Sequence, residues 1–229
     1  MNEALLKAVG IAVELGGRRV VDGVSLTAEA GRIVAVVGPN GAGKTSLLRA
    51  LAGLVDSTGE LHVAGEDPRR ASAQANARRR AYCAQKPNCA WDYRVSDLGE
   101  IIGAPEAFTE WLDRLGLSEL GERPLTRLSG GEQKAAHLAM AFASLADPFG
   151  TLLLLDEPAD SLDVGRQALA AEAIRRFAQA GGAAVVATHD LAFARNCDVV
   201  VVLAEGRLVA IGAPADALTP AVIASTWGA

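Results

Sequence analysis

Four short stretches of the chain are apolar at almost every position: Ile33–Val37 and residues 151–155, 183–187 and 199–203. Runs of strand length without alternation are the mark of strands buried on both faces, as in a parallel sheet covered by helices. Shorter apolar pieces at 11–13, 20–21 and 24–26 surround Gly16-Gly17, a hairpin signal, and residues 59–65 alternate with Leu61 and Val63 on one face. Together these predict a small antiparallel layer at the start of the chain, while 78–83 leads into one more core strand. From about Lys86 to Asp147 the period lengthens to that of helices, at 96–102, 107–115 and 131–145, and a further helix is predicted over 164–180. The expected fold is therefore α/β: a mostly parallel sheet, an N-terminal antiparallel β layer and an inserted helical subdomain. We divide the single domain, 1–229, into a core of 1–86 and 148–229 and a helical subdomain of 87–147.

Composition narrows the function. A chain of 229 residues with 50% hydrophobic content can bury a full core. A net charge of -5 argues against a nucleic-acid binder working through a general basic surface. No apolar run approaches the roughly 20 residues needed to span a bilayer. The first residues carry no basic, apolar and small-residue succession of an export leader, which points to the cytoplasm. Cys83, Cys89 and Cys197 are odd in number and lack C-x-x-C spacing, so reduced thiols are expected rather than disulfides or a zinc site.

The first candidate chemistry lies at Gly38, Pro39, Asn40, Gly41, Ala42, Gly43, Lys44 and Thr45, which fit G-x-x-x-x-G-K-[ST] directly after the Ile33–Val37 strand. A bare match also fits a Gly-rich turn. Strand before and helix after, opening at Ser46, instead make a phosphate cradle of the P-loop NTPase type. Backbone N–H groups converge on nucleotide phosphates, Lys44 adds a point charge and the Thr45 hydroxyl can ligate Mg²⁺. The second is the Leu152–Leu155 run ending in Asp156 and Glu157. Both carboxylates fall at the C-terminal edge of a parallel sheet, where ligands bind. Asp156 suits Mg²⁺, and Glu157 suits the general base that activates a water for attack on a γ-phosphate. A strand ending in solvated acids is the plainer alternative. Third, Ser129 and Glu132 have capping-box spacing, yet Gly130 and Gly131 between them leave a helix N-terminus that a phosphate could approach closely. His189, after the 183–187 strand, reaches the same sheet edge as Asp156. Gln85 alone carries almost no information.

Taken in order, residues 38–45, 128–133, 152–157, 161–163 and 188–190 resemble the motifs of the ATP-binding subunits of ABC transporters over essentially the whole chain. The resemblance implies ATP and Mg²⁺ as ligands, and a second copy of the chain packed head to tail. Each ATP would then lie between the phosphate loop of one copy and Ser129, Gly130 and Gly131 of the other. It further implies that Gln85 approaches Mg²⁺ and the γ-phosphate, that Asp163 communicates across the dimer, and that His189 holds the γ-phosphate and positions the water activated by Glu157. Membrane permease subunits and a periplasmic or surface substrate-binding protein would be the partners, with the chain peripheral on the cytoplasmic face of the inner membrane and no nucleic acid involved.

Two departures stand out. Relatives carry an aromatic residue about thirty positions before the phosphate-loop lysine, where it stacks on adenine; this chain offers Leu15, so the base is expected to meet an apolar surface of Leu15 and Val20. The arginine usual two residues after the signature glutamine is also missing, at Ala135, which is expected to soften contacts near the trans site. The tail from Gly212 to Gly228 and the insertion at 146–150 resemble importers for vitamin B12, haem and ferric siderophores. The segment 91–97 resembles zinc and manganese importers. Trp91, Tyr93, Val95 and Leu98 are candidates for a groove that receives a membrane subunit or for plain core packing, and Arg78 to Arg80 for a solvated face or an anionic contact. A soluble ABC ATPase, such as one serving iron–sulfur assembly, remains open. A P-loop kinase or GTPase would leave the L-S-G-G-E-Q element without a role.

Overall fold

A computed structural model describes residues 4–86, 92–145 and 147–228. It begins with two long strands, β1 (Ala4–Leu15) and β2 (Arg18–Glu29). They turn at Gly16 and Gly17, both left-handed, a geometry that matches the twist of the flanking strands. The separate short strands expected at 11–13, 20–21 and 24–26 are one continuous ladder running from Ala4↔Glu29 to Leu15↔Arg18. Its register shifts several times, so bulges absorb the polar interruptions that read as strand ends.

The chain continues through β3 (Ile33–Val37), α1 (Lys44–Leu51), β4 (Thr58–Val63), α2 (Ala73–Arg79) and β5 (Arg80–Cys83). β4 pairs antiparallel with β1 and completes the sheet β2-β1-β4. Helix α2 had no clear signal in the sequence. It takes up Arg78 and Arg79, and only Arg80 onward is strand. Of the three arginines, Arg79 pairs with Glu66 at 2.6 Å and Arg80 donates from Nε to the Ala52 carbonyl at 2.7 Å, so two are committed within the fold.

The helical part comprises α3 (Asp97–Ile101), α4 (Pro105–Arg114), two 3-10 turns (Ser118–Leu120 and Leu125–Arg127) and α5 (Gly130–Ala143). Then follow β6 (Leu152–Asp156), α6 (Val164–Gln179), β7 (Ala183–Thr188), α7 (Leu191–Ala194), β8 (Val199–Ala204), β9 (Arg207–Gly212), α8 (Pro214–Ala217) and α9 (Pro220–Trp227). The large sheet has the order β5-β6-β7-β3-β8-β9, with every neighbouring pair parallel except β8 with β9. Because β3 lies beside β7, and β7 beside β6, three loops far apart in sequence emerge side by side at one sheet edge.

The uninterrupted apolar runs serve two cores. Ile33, Ala35, Val37, Leu153 and Leu155 face the helical side with Phe108, Phe142, Ile174 and Phe177. Val34, Val36, Leu152 and Leu154 face α1 and the antiparallel sheet with Leu47, Leu51, Ile11 and Val13. Alternate residues of one strand thus fill opposite cores, and no polar face remains. Trp111 of α4 stacks on Phe142 of α5 with centroids 4.4 Å apart, and Phe142 meets Phe177 of α6 at 6.1 Å, which ties the helical part to the sheet's cover. Val95 and Leu98 are core residues and Tyr93 is exposed; Trp91 and Cys89 lie outside the described residues. Cys83 and Cys197 are free and buried. Among the described residues no helix is long and apolar enough to cross a membrane.

Candidate functional site

At the shared edge of β3, β6 and β7 lies a cleft of about 430 Å³, lined by Val20, residues 40–46, Gln85 and Glu157. The loop between β3 and α1 makes its floor. Gly43 sits at φ 98° as the N-cap of α1, and a Cβ there would come within 2.5 Å of the Val20 carbonyl, so glycine is required by conformation and space alike. Lys44 is buried, and its ammonium donates to the carbonyls of Gly38 at 2.8 Å and Pro39 at 3.2 Å. Burial pulls its pKa down, opposed by Glu157 and Asp156. Gly38 and Pro39 therefore serve the cleft through their carbonyls rather than by lining it.

Asp156, the last residue of β6, is 1% exposed, and its carboxylate oxygens, though near the Thr45 and Tyr82 hydroxyls, make no hydrogen bond of good geometry. Burial pushes its carboxyl up, opposed first by the neighbouring Thr45 hydroxyl and then by Lys134 and Lys44. Tyr82 is likewise pushed up to about 12, by burial and then by the Asp156 charge. A buried carboxylate with both oxygens unsatisfied is costly unless something positive joins it. Among the described residues no three acidic, histidine or cysteine side chains converge to hold a metal. The orphaned Asp156 carboxylate beside the Thr45 hydroxyl is a donor pair that fits Mg²⁺, a cation held by one or two protein oxygens together with substrate phosphates and water.

Glu157 is buried and left-handed at φ 46°, an uncommon conformation for a residue with a side chain. Its N–H donates to the Ala187 carbonyl of β7 at 2.9 Å. Its Oε2 accepts from the His189 backbone N–H at 3.2 Å and lies 2.9 Å from His189 Nδ1, which donates when the proton resides there. Its Oε1 stands 4.0 Å from Lys44 Nζ. The structure thus joins Lys44, Glu157 and His189 in one chain of contacts. Gln85 lines the same cleft, and its amide donates to Asp160 at 3.3 Å, an acceptor that had no signal in the sequence.

Leu15 does not line the cleft. It lies on the far side of the β1–β2 turn, paired with Arg18 and 44% exposed, whereas Val20 on the returning strand reaches the cavity. Nor do Ser129, Gly130, Gly131 or Asp163 line it. Ser129 is the N-cap of α5 with a complete capping box: its Oγ accepts from the Glu132 N–H at 3.2 Å, and its own N–H donates to Glu132 at 2.8 Å. A side chain at Gly130 would project into open space, but one at Gly131 would strike the Ser161 carbonyl. Asp163 caps α6, accepting from the Arg166 N–H at 2.9 Å and pairing with its guanidinium at 2.8 Å. Lys134, one turn into α5, is buried and points toward the cleft's underside; its only trace in the sequence is a lysine among alanines.

A parallel sheet whose β3, β6 and β7 edge carries a phosphate loop and two acids defines a P-loop nucleotide-binding fold. Within that class the chain belongs to the ABC transporter family, whose sequence profile matches residues 21–160. It is 40% identical over 238 residues to the cobalamin import ATP-binding protein BtuD of Halobacterium salinarum, covering 98% of this chain and 59% of that protein. It therefore spans less than two thirds of that relative's length. It is also 40% identical over 234 residues to the hemin import ATP-binding protein HmuV of Rhodopseudomonas palustris, covering 97% of this chain and 87% of that one. The fold is that of an ATP-binding subunit of an ABC transporter at TM-score 0.81 and 24% identity, covering 98% and 93% of the two chains. An ATP-binding cassette in its ADP conformation aligns at TM-score 0.82 and 21% identity, covering 99% and 100%.

Proposed function

We propose that the chain hydrolyses ATP to ADP and phosphate and passes the resulting movement to membrane permease subunits, importing cobalamin, haem or a ferric siderophore. The observation that carries the hydrolysis is the single cleft in which the phosphate loop, Gln85 and Glu157 meet above the unsatisfied carboxylate of Asp156. The names of the relatives support the transported class. The core of 1–86 and 148–229 holds this cleft, and the helical subdomain of 87–147 carries Ser129 to Gly131.

In this reading residues 40–46 bind the phosphates through their backbone N–H groups, Gly38 and Pro39 shape the loop, and Lys44 exchanges the Gly38 and Pro39 carbonyls for phosphate oxygens. Thr45, Asp156 and Gln85 would hold Mg²⁺, which would neutralise charge on the outer phosphates. Glu157 takes the proton of the attacking water. His189, tied to Glu157 by two contacts, orients the carboxylate and the γ-phosphate. Val20 supplies the apolar contact to the base, with Leu15 at its margin.

Ser129, Gly130 and Gly131 lie away from this cleft, so their part requires a second copy packed head to tail. Capping and phosphate binding are compatible there. Ser129 uses a lone pair to cap the helix and keeps its O–H for donation, while Gly130 leaves the approach open. Asp163, engaged in its own chain by α6, is assigned to the contact with that copy.

Affinity capture of the tagged chain from source-cell membranes tests the transport role. Retention of a polytopic membrane subunit, with ATP turnover raised by cobalamin- or haem-loaded binding protein, is the expected result. Retention of soluble iron–sulfur assembly proteins alone would overturn it, and stimulation by zinc or manganese would move the cargo to those metals.

A further inference from the structure

Lys134 has an unusual setting. It is 3% exposed, it sits on a helix whose neighbouring residues Ala135, Ala136 and Leu138 are core, and among the described residues no carboxylate pairs with it directly. Its ammonium instead donates to three main-chain carbonyls: Ala84 at 2.8 Å, Gln85 at 3.2 Å and Asp156 at 2.8 Å. A lysine has three N–H donors, and each has an acceptor here. Burial lowers its pKa, opposed by Cys83, Asp156, Asp160 and Glu157. A cation in such a place gives little net stability compared with an apolar side chain, so geometric specification is the better account of it.

We infer that Lys134 is a positioning residue for ATP turnover: it fixes the main chain from which Gln85 and Asp156 project, and ties both to the helix that begins at Ser129.

Three consecutive residues of α5 make this connection. Glu132 completes the capping box on Ser129. Gln133 donates to the carbonyls of Leu125 and Leu128 at 3.0 and 3.2 Å and so holds the loop entering the helix. Lys134 then reaches the opposite way, beneath the cleft. One bond goes to the end of β6 and two go to the segment after β5, so a rotation of α5 either carries the Gln85 main chain with it or breaks bonds to the ammonium. The cation of this turn acts within its own chain. The missing arginine at Ala135 therefore leaves α5 anchored, through the residue before it.

The inference rests on the proposed placement of Gln85 and Asp156 at the Mg²⁺ and γ-phosphate end of the site. In the full chain, Lys134→Met removes the three bonds with little change in volume. Because the phosphate loop is untouched, ATP affinity without Mg²⁺ should stay within about threefold, while kcat and the gain in affinity that Mg²⁺ confers should fall by about 10- to 100-fold, as for residues that orient metal ligands. A folded Lys134→Met protein with kcat and Mg²⁺ dependence within about twofold of the original would overturn the inference. So would equal losses of ATP affinity with and without Mg²⁺, since those mark general disruption. If the methionine variant shows no cooperative thermal transition, Lys134→Arg is judged by the same split, because its planar fork keeps the charge but cannot meet three converging carbonyls. Glu157→Gln measured alongside separates the two readings. An original chain no more active than that control defeats the site assignment, and the binding arm still decides Lys134.

Discussion

Glu157→Gln isolates the base from everything else that Glu157 does. The substitution keeps shape and backbone, and it leaves one carbonyl oxygen that can accept from the His189 N–H and Nδ1, now 3.2 and 2.9 Å from Oε2. It removes the negative charge that stands 4.0 Å from Lys44 Nζ, and with it the carboxylate proposed to take a proton from water. General-base catalysis contributes about 10²- to 10⁴-fold, or about 2.7–5.4 kcal/mol of barrier at 1.36 kcal/mol per decade. We expect kcat for phosphate release to fall by that range, while the Kd for ATP stays within about threefold or tightens, because a like charge leaves the phosphate site. Phosphate release under saturating Mg²⁺ and ATP gives the first quantity, and equilibrium titration the second. A kcat within about threefold of the original would remove Glu157 from the base role.

Three further expectations follow from the same geometry. Asp156→Asn should lose Mg²⁺-dependent turnover yet raise the melting temperature of the nucleotide-free chain in chelator at neutral pH. Relieving an unpaired buried charge is worth about 1–3 kcal/mol, and each kcal/mol is about 2–4 °C at this size. The folded pKa of Asp156 is raised above its ordinary 3.8, so the original chain loses stability as pH climbs through the folded value, and the difference between the two proteins should vanish in acid; a lower melting temperature for the variant at neutral pH would contradict this. Ser129→Arg should block hydrolysis while leaving ATP binding to the isolated chain intact, whereas undiminished phosphate release would refute a composite site. Val20→Ala should weaken ATP binding measurably and Leu15→Ala should not, as judged by titration; the reverse order would return the base to Leu15.

Much of this site is written in local sequence because its chemistry needs short, contiguous geometry. A strand, a Gly-rich loop and a helix must follow one another for the cradle at 38–45, and Leu152–Leu155 must be buried for Asp156 to emerge at the sheet edge. Pattern failed where tertiary structure decides. The polar residues between Val21 and Val24 read as a break, yet bulges carry β2 through them. The sequence offers both Leu15 and Val20 as the apolar contact for the base, and only the β1–β2 turn decides that Val20 lines the cleft. Gly131 also packs closely on the Ser161 carbonyl, a contact within the fold that the capping-box spacing does not show. Asp160 and Lys134 gave no local signal, since their partners at Gln85 and Asp156 lie 75, 49 and 22 residues away.

The central claim is that the cleft is half of a site completed by Ser129 to Gly131 of a second copy. Light-scattering mass of Glu157→Gln, with ATP and without, tests it most directly. The account predicts a shift from the 23.6 kDa monomer to twice that mass when ATP is added, and no shift when Ser129→Arg is introduced in the same chain. A mass that stays at 23.6 kDa with saturating ATP, or a dimer indifferent to the Ser129 change, would contradict it.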